Sequence, residues 1–402
     1  MIYWFGCLRF KKFLSPNLAF WLDRKPEGSI VNFETFSFHP HIAAGIVAAG
    51  YATPTPIQQQ TIPAILAGQD VLGLAQTGTG KTAAFVLPIL QRLIKGPRRQ
   101  ARALILAPTR ELAEQTHQAI QLLGKRTGLR SLTLYGGVSM GPQIRGLQNG
   151  AEILVACPGR LLDLMGQRLV NLNTIEVLVL DEADRMFDMG FLPDIRRIVA
   201  NLPKTRQTLL FSATMPPEIS KLADDFLHQP VRVEIDIQRP VETIHQAVFP
   251  VQQEQKYTAL MALLPQAEGQ VLIFTRTKHR ARKLSMQLSN AGLSATSLQG
   301  NLSQNQRQQA MEGFRSGRIK VMVATDIAAR GLDVAQISHV INYDMPDTLD
   351  AYTHRIGRTG RMMKNGAAFS LITQEDLPML RIIERMLGYR LERKEALQNQ
   401  TA

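Results

Sequence analysis

Cysteine is nearly absent from this chain: Cys7 and Cys157 are the only two in 402 residues. A disulfide framework and a cysteine-built zinc site are therefore excluded, and the usage fits a reducing cytosol. No apolar run reaches the roughly 18 residues that a bilayer span needs, so no transmembrane helix is expected. Low-complexity tracts and short-period repeats are missing too. Acidic residues are in the minority, with 33 Asp and Glu against 46 Lys and Arg, a net charge of +13. That excess suggests a polyanionic partner, nucleic acid or an anionic membrane surface; the alternative is a merely soluble basic surface. What is present is ordinary: 45% hydrophobic and 20% charged residues describe a globular chain. The length predicts two or three domains, each able to bury its own core.

The first 30 residues differ from the rest. Basic residues precede the apolar stretch Phe13–Leu22, a loose likeness to a signal peptide. Pro16 and Asn17 interrupt it, and Asp23-Arg24-Lys25-Pro26 stands where small cleavage-site residues belong. Residues 1–32 read as a disordered or mis-assigned leader, with the functional chain beginning near Val31. Beyond it, short aliphatic runs alternate with helically spaced segments. Strands are expected at Val71–Ala75, Ala103–Ala107, Ile153–Ala156, Val177–Leu180 and Thr208–Phe211, and helices at Arg110–Leu123 and Ser139–Leu147. A polar stretch, "DIQRPVETIH" at 236–245, carries Pro240 and reads as a linker. A second series follows at Val271–Phe274, Ala295–Leu298, Val321–Ala324, Val340–Asn342 and Ala368–Leu371. The expected fold is α/β, two doubly wound parallel-sheet lobes. The lobes are drawn at 33–238 and 247–378, with a linker at 239–246 and a short C-terminal helix and tail at 379–402.

Three stretches carry chemistry. "AQTGTGKT" (75–82) lies between an apolar strand and a helix. Gly78 and Gly80 let backbone N–H groups curl around phosphate, Lys81 can reach the β- and γ-phosphates, and the Thr82 hydroxyl suits Mg²⁺. The strict pattern has Gly where Ala75 stands. "DEAD" (181–184) follows another apolar strand, at the sheet edge where doubly wound folds bind ligands. Asp181 is placed to hold Mg²⁺ partly through water, and Glu182 to orient or deprotonate an attacking water. Asp184 could be a chemical group or a structural acceptor, and acidic runs are often solvated turns. "HRIGRTGR" (354–361) sets Arg355, Arg358 and Arg361 three apart, which leaves open a generic basic patch or arginines aimed at one phosphate. Gln58 follows Pro54 and Pro56; its amide can pair with adenine N6 and N7, or simply cap a helix.

Asp181-Glu182-Ala183-Asp184 spells the motif that names the DEAD-box RNA helicases, and the chain resembles that family from residue 33 to about 375. The flavour is most similar to its bacterial RhlE-type members. The resemblance implies two tandem RecA-like lobes, the first binding ATP, with an adenine-reading segment at about 33–61. It implies nucleotide contacts from Phe33, Gln58, Gln76, Thr77, Gly78, Thr79, Gly80, Lys81, Thr82 and Asp333. Lys81, Asp181, Glu182, Arg358 and Arg361 would be catalytic, the two arginines as fingers that act when the lobes close. Asp184, Ser212, Thr214 and His354 would couple hydrolysis to RNA, and His354 and Arg355 would brace the turn or bond to the first lobe's "DEAD" and "SAT" elements. RNA contacts fall to Pro108, Thr109, Arg110, Gly137, Arg160, Gln304, Arg307 and Thr325. The implied cofactors are ATP and Mg²⁺, and the implied partner is RNA, as single strand or short duplex, bound with little regard to sequence. No membrane is expected. A cytoplasmic helicase, with partners in ribosome assembly or RNA turnover, follows from the same resemblance; an ATP-gated RNA clamp is the alternative. One departure stands out: the family's Thr-Pro-Gly-Arg is here Cys157-Pro158-Gly159-Arg160, and a thiol is a poor donor.

Overall fold

Most strands are runs of four to seven residues rich in Val, Ile and Leu, and most are buried along their length, as parallel sheets covered on both faces require. The computed structural model describes residues 32–76, 78–235, 244–329, 337–360 and 366–395. Residues 1–31 of the expected leader, 239–243 of the expected linker, and Thr77, Asp333 and Arg361 lie outside these.

The first lobe has β1 (Val71–Leu74), β2 (Ala103–Leu106), β3 (Ser131–Leu134), β4 (Ile153–Ala156), β5 (Val177–Leu180), β6 (Gln207–Ser212) and β7 (Val231–Glu234). They pair in the order β3-β4-β2-β5-β6-β1-β7, all parallel. The second lobe has β8 (Ile244–Pro250), β9 (Gln270–Phe274), β10 (Ala295–Leu298), β11 (Val321–Ala324), β12 (Ile337–Asn342), β13 (Gly366–Ile372) and β14 (Glu392–Arg393). Its order, β10-β11-β9-β12-β13-β8-β14, is the same permutation. The two lobes thus repeat one topology although the sequence shows no repeat.

Helices cover both faces because each buries an apolar stripe. Lys81–Leu93 is the most enclosed, with Ala83 through Leu90 buried between β1 and its neighbours. The opposite face of the first sheet packs on a second cluster that includes Leu161, Leu164, Ile195, Ile198 and Leu222.

Both ends of the second lobe differ from the expected boundaries. Residues 244–246 are strand rather than linker: Ile244 is buried, and Tyr352 Oη donates to Gln246 Oε1 at 2.7 Å. The polar residues alternating through Ile244–Gln246 disguised the start of β8. At the other end, helix Leu377–Leu387 packs Leu380, Ile383 and Leu387 against Tyr352 and Ile356, and β14 joins the sheet beside β8. The expected C-terminal helix is therefore present as part of the lobe's core and is followed by an edge strand, while residues 396–402 of the expected tail lie outside the described residues.

Candidate functional site

The carboxyl edge of the first sheet divides into two halves. The ends of the adjacent strands β5, β6 and β1 carry Asp181, Ser212 and the phosphate loop; the ends of β3, β4 and β2 carry Gly137, Arg160 and Arg110.

In the first half, Gly80 occupies φ 92°, ψ 18° at the start of helix Lys81–Leu93. A Cβ there would lie 2.5 Å from Gln58 Nε2, so only glycine fits both conformation and space. Lys81 Nζ donates to the Ala75 carbonyl at 2.7 Å, and Thr79 Oγ1 to the Gln76 carbonyl at 2.7 Å. The loop is preformed, with its lysine folded back across it. Gln58 is buried; its Oε1 accepts from the Thr55 N–H and its Nε2 donates to the Gly80 carbonyl, each at 3.0 Å. The amide thus caps a helix and ties it to the phosphate loop, leaving one Nε2 hydrogen for a ligand. Phe33 is buried and stacks on Tyr51 rather than presenting an open ring.

The acidic cluster is fully enclosed. Burial pushes the Asp181 carboxyl up to about 7; the Lys81 ammonium opposes this, and the Glu182 carboxylate adds to it. Asp181 Oδ1 is buried without a hydrogen-bond partner. That unpartnered oxygen, with the Thr82 hydroxyl in the first turn of the adjoining helix, fits a divalent cation, which would favour the ionised form. Among the described residues no cluster of three or more His, Cys, Asp or Glu could cage a metal. A cation here would complete its shell with phosphate oxygens and water, as Mg²⁺ prefers. Glu182 sits in the left-handed region at φ 52°, ψ 55°, a conformation that costs a non-glycine residue on the order of 1 kcal/mol or more. Burial pushes its carboxyl up, but Arg185, Lys81 and Arg358 together hold it below the usual carboxylate range. Arg185, ion-paired to Glu182, was not flagged by the sequence; the charge three residues along a helical turn was the available signal. Arg358 belongs to the second lobe.

Asp184 resolves as a structural acceptor. Its Oδ2 accepts from the Ala213 N–H, the Thr214 N–H and Thr214 Oγ1 at 3.0–3.2 Å, and its own N–H donates to Ser212 Oγ. The end of β6 is thereby bound to the acidic cluster. His354 comes from the second lobe to the same place: burial holds its imidazole below the ordinary value, with Asp184 pulling the other way. The two lobes meet here.

The second half opens on a cleft of about 720 Å³ lined by both lobes. Thr109, Arg110, Gly136 and Arg160 face Arg307 and Thr325, with Pro108 also in its wall. Arg160 is largely buried, with Nη2 donating to the Val138 carbonyl at 3.3 Å; Nε and Nη1 make no hydrogen bond, Nε lying 3.9 Å from Asp163 Oδ2. Gly137, at φ 72°, leaves the space that the Arg110 side chain fills. Thr109 Oγ1 is used as a helix cap, accepting from the Leu112 N–H. Gln304 opens helix Gln304–Arg315. Arg307 is engaged across the cleft: Nε and Nη2 donate to Glu111 Oε1 at 2.9 and 2.6 Å. Glu111, Arg276 and Lys278 also line the cleft and were missed; the basic run around Arg276 was the signal that could have found the last two. Glu111→Ala should loosen this partly buried pair, worth about 1 kcal/mol, and speed release of RNA from the nucleotide-bound complex by about fivefold in a chase experiment.

Cys157 precedes helix Pro158–Gly166 without a side-chain cap hydrogen bond. Burial pushes its thiol up to about 12, with Glu111 adding and Arg110 opposing, so it stays protonated and unreactive. Cys157→Thr should restore a cap and raise stability by about 1 kcal/mol in a urea melt. RNA affinity in a filter-binding titration should change by less than about 1.5 kcal/mol.

Two family models match: DEAD/DEAH box helicase over residues 55–222 and helicase conserved C-terminal domain over residues 255–363. The chain is 42% identical over 368 residues to the DEAD-box ATP-dependent RNA helicase CshA of Bacillus licheniformis, covering 91% of this chain and 75% of that one. The chain belongs to the DEAD-box helicase family. It is 46% identical to the RNA helicase CrhR of Synechocystis, over 85% of this chain and 70% of the other. A solved structure of S. cerevisiae Dbp5 bound to RNA and ADP BeF3 superposes with a TM-score of 0.82 at 32% identity, covering 91% of this chain and 96% of that one. The tandem RecA-like description of the fold holds, and the DEAD-box motif sits where the two lobes meet. Among the described residues no helix is long and apolar enough to cross a membrane.

Proposed function

We propose that the protein is an ATP-dependent RNA helicase whose ATP hydrolysis is stimulated by RNA and coupled to lobe closure. The observation that carries this reading is that Arg358 and His354, from the second lobe, lie close enough to Glu182 and Asp184 of the first for their charges to act on one another. A residue pair split between lobes acts only when they close, and the same closure brings Arg307 to Glu111 at the cleft. ATP binds at the phosphate loop, with Gln58 reading adenine through its remaining amide hydrogen. Thr82 and Asp181 would hold Mg²⁺, which neutralises phosphate charge when bound. Glu182 orients the attacking water, and Arg358 with Arg361 stabilises charge on the transferring phosphoryl group. Arg110, Arg160, Gln304, Arg307 and Thr325 hold the RNA strand by its phosphates and 2′-hydroxyls, a mode nearly blind to sequence. A bent strand in the closed cleft would separate a short duplex locally.

A cytoplasmic location, a RhlE-type place within the family, and roles in ribosome assembly or RNA turnover belong to the same proposal. The test is steady-state ATPase with and without RNA, single-stranded DNA serving as comparison. Hydrolysis that ignores RNA would overturn it. RNA-stimulated hydrolysis without unwinding of a short RNA duplex would leave an ATP-gated clamp.

A further inference from the structure

One arginine of the last motif faces neither ligand. Arg355 lies in helix Leu349–Ile356 and is 2% exposed. Its Nε donates to Asp326 Oδ1 at 2.6 Å and its Nη2 to Asp326 Oδ2 at 2.7 Å. Its Nη1 donates to Asn342 Oδ1 at 3.1 Å and to the Asp344 carbonyl at 2.7 Å. The guanidinium carbon Cζ lies over the Phe274 ring, 5.0 Å from its centre. Phe274 ends β9, Asn342 ends β12, and Asp326 follows β11 by two residues. These three strands are neighbours in the order β11-β9-β12, so one side chain pins three adjacent carboxyl ends together.

Those ends lead to different ligands. Thr325, immediately before Asp326, and Arg276, two residues after Phe274, line the nucleic-acid cleft. On Arg355's own segment, His354 and Arg358 reach Asp184 and Glu182 on the ATP side. A bidentate fork restrains rotation as well as distance, which a lysine cannot do. The carboxylate of Asp326 is about one-third exposed and follows Thr325 of the cleft wall directly, whereas Arg355 is fixed in the core.

We propose that Asp326 and Arg355 are a positioning pair that makes the placement of His354 and Arg358 depend on the occupancy of the cleft. Neither residue touches a reacting atom. The inference rests on the proposed function in that it needs RNA and ATP as the two ligands.

The test measures the coupling factor on the full chain. The affinity for a short oligouridylate is titrated with and without a non-hydrolysable ATP analogue and Mg²⁺, and the affinity for the analogue with and without RNA; linkage requires the same factor both ways. Asp326→Asn should lower that factor about tenfold, with the affinity for each ligand alone within about threefold of wild type. Asp326→Glu, which keeps the charge, should recover much of the loss. Arg355→Lys should resemble Asp326→Asn, and the double variant should be no worse than either, as for residues acting as a unit. Arg355 keeps Asn342 and the Asp344 carbonyl when Asp326 is changed, so the Asp326 variants decide the matter even if Arg355→Lys does not fold. Wild-type coupling in Asp326→Asn overturns the pair. So does weaker RNA binding alone with coupling intact, which would make Asp326 part of the RNA wall, or equal losses in the Asn and Glu variants. A wild-type protein without coupling would instead overturn the proposed function.

Discussion

Arg358→Ala is expected to reduce RNA-stimulated ATP turnover by about 10³–10⁵-fold, the range found where arginine fingers have been dissected. The argument is positional. Arg358 is 5% exposed, its Nε donates to the His354 carbonyl at 3.2 Å, and its charge reaches Glu182 on the other lobe. A cation held that way is poorly placed to find an RNA phosphate, since the cleft lies on the other half of the sheet edge. RNA affinity without nucleotide should therefore stay within about threefold of wild type, as for a residue outside the contact surface. Single-turnover hydrolysis and a filter-binding titration on the same preparation separate the two effects. Loss of RNA binding with hydrolysis intact would return the arginine motif to a basic patch. Arg361→Ala should match Arg358→Ala, although Arg361 lies outside the described residues.

The local chemistry was legible because each motif carries its own context. "AQTGTGKT" follows an apolar strand and opens a helix, so the tight turn at Gly80 is implied by neighbours within a few residues; the bond from Lys81 Nζ to the Ala75 carbonyl is not. Asp181 was legible for the same reason, at the end of β5. Pairing was not legible. β1 lies between β6 and β7, its partners far along the chain, and the common strand order of the two lobes has no counterpart in a sequence repeat. Roles that depend on such distant partners were therefore incomplete. Gln58 was read as an adenine contact, yet both ends of its amide bond within the protein, one to Gly80. Arg307 was read as an RNA contact, yet Glu111 holds it from the other lobe. For Arg355 the sequence leaves a brace of its turn or a bond to the first lobe; its bonds go to Asp326, Asn342 and Asp344 of its own lobe, partners that cannot be named without the sheet. In the same way Asp184 could be settled as an acceptor only once β6 was seen to lie beside β5.

The sheet order also explains how one edge serves two ligands. The phosphate loop and acidic cluster use the ends of β1, β6 and β5, while the cleft uses β2, β4 and β3. In the second lobe the corresponding halves provide Arg355 and its neighbours after β12, and Arg276, Arg307 and Thr325 after β9, β10 and β11. Two copies of one topology therefore meet with like halves facing, and the cleft draws its walls from both lobes.

Glu182→Gln is expected to lower hydrolysis by about 10²–10⁴-fold, the usual worth of a positioned general base. The substitution keeps the shape of the side chain and removes only its charge, so ATP and RNA should still bind and the closed complex should persist. The structure adds a second consequence. The Glu182 carboxylate is buried among Arg185, Lys81 and Arg358 and ion-paired to the first. Neutralising it leaves the Arg185 cation buried with its principal partner gone, a change that typically costs about 3–5 kcal/mol. The melting temperature without ligand should fall accordingly. ATP with Mg²⁺ binds only the folded form, so it should recover part of the loss by mass action. Glu182→Asp separates the two roles: it keeps the charge but withdraws the carboxylate by one methylene, so it should retain most of the stability while hydrolysis stays low. A Glu182→Gln protein as stable as wild type would mean that Arg185 finds another acceptor. One that hydrolyses ATP normally would remove Glu182 from the chemistry and leave it as the residue that holds Arg185 in place.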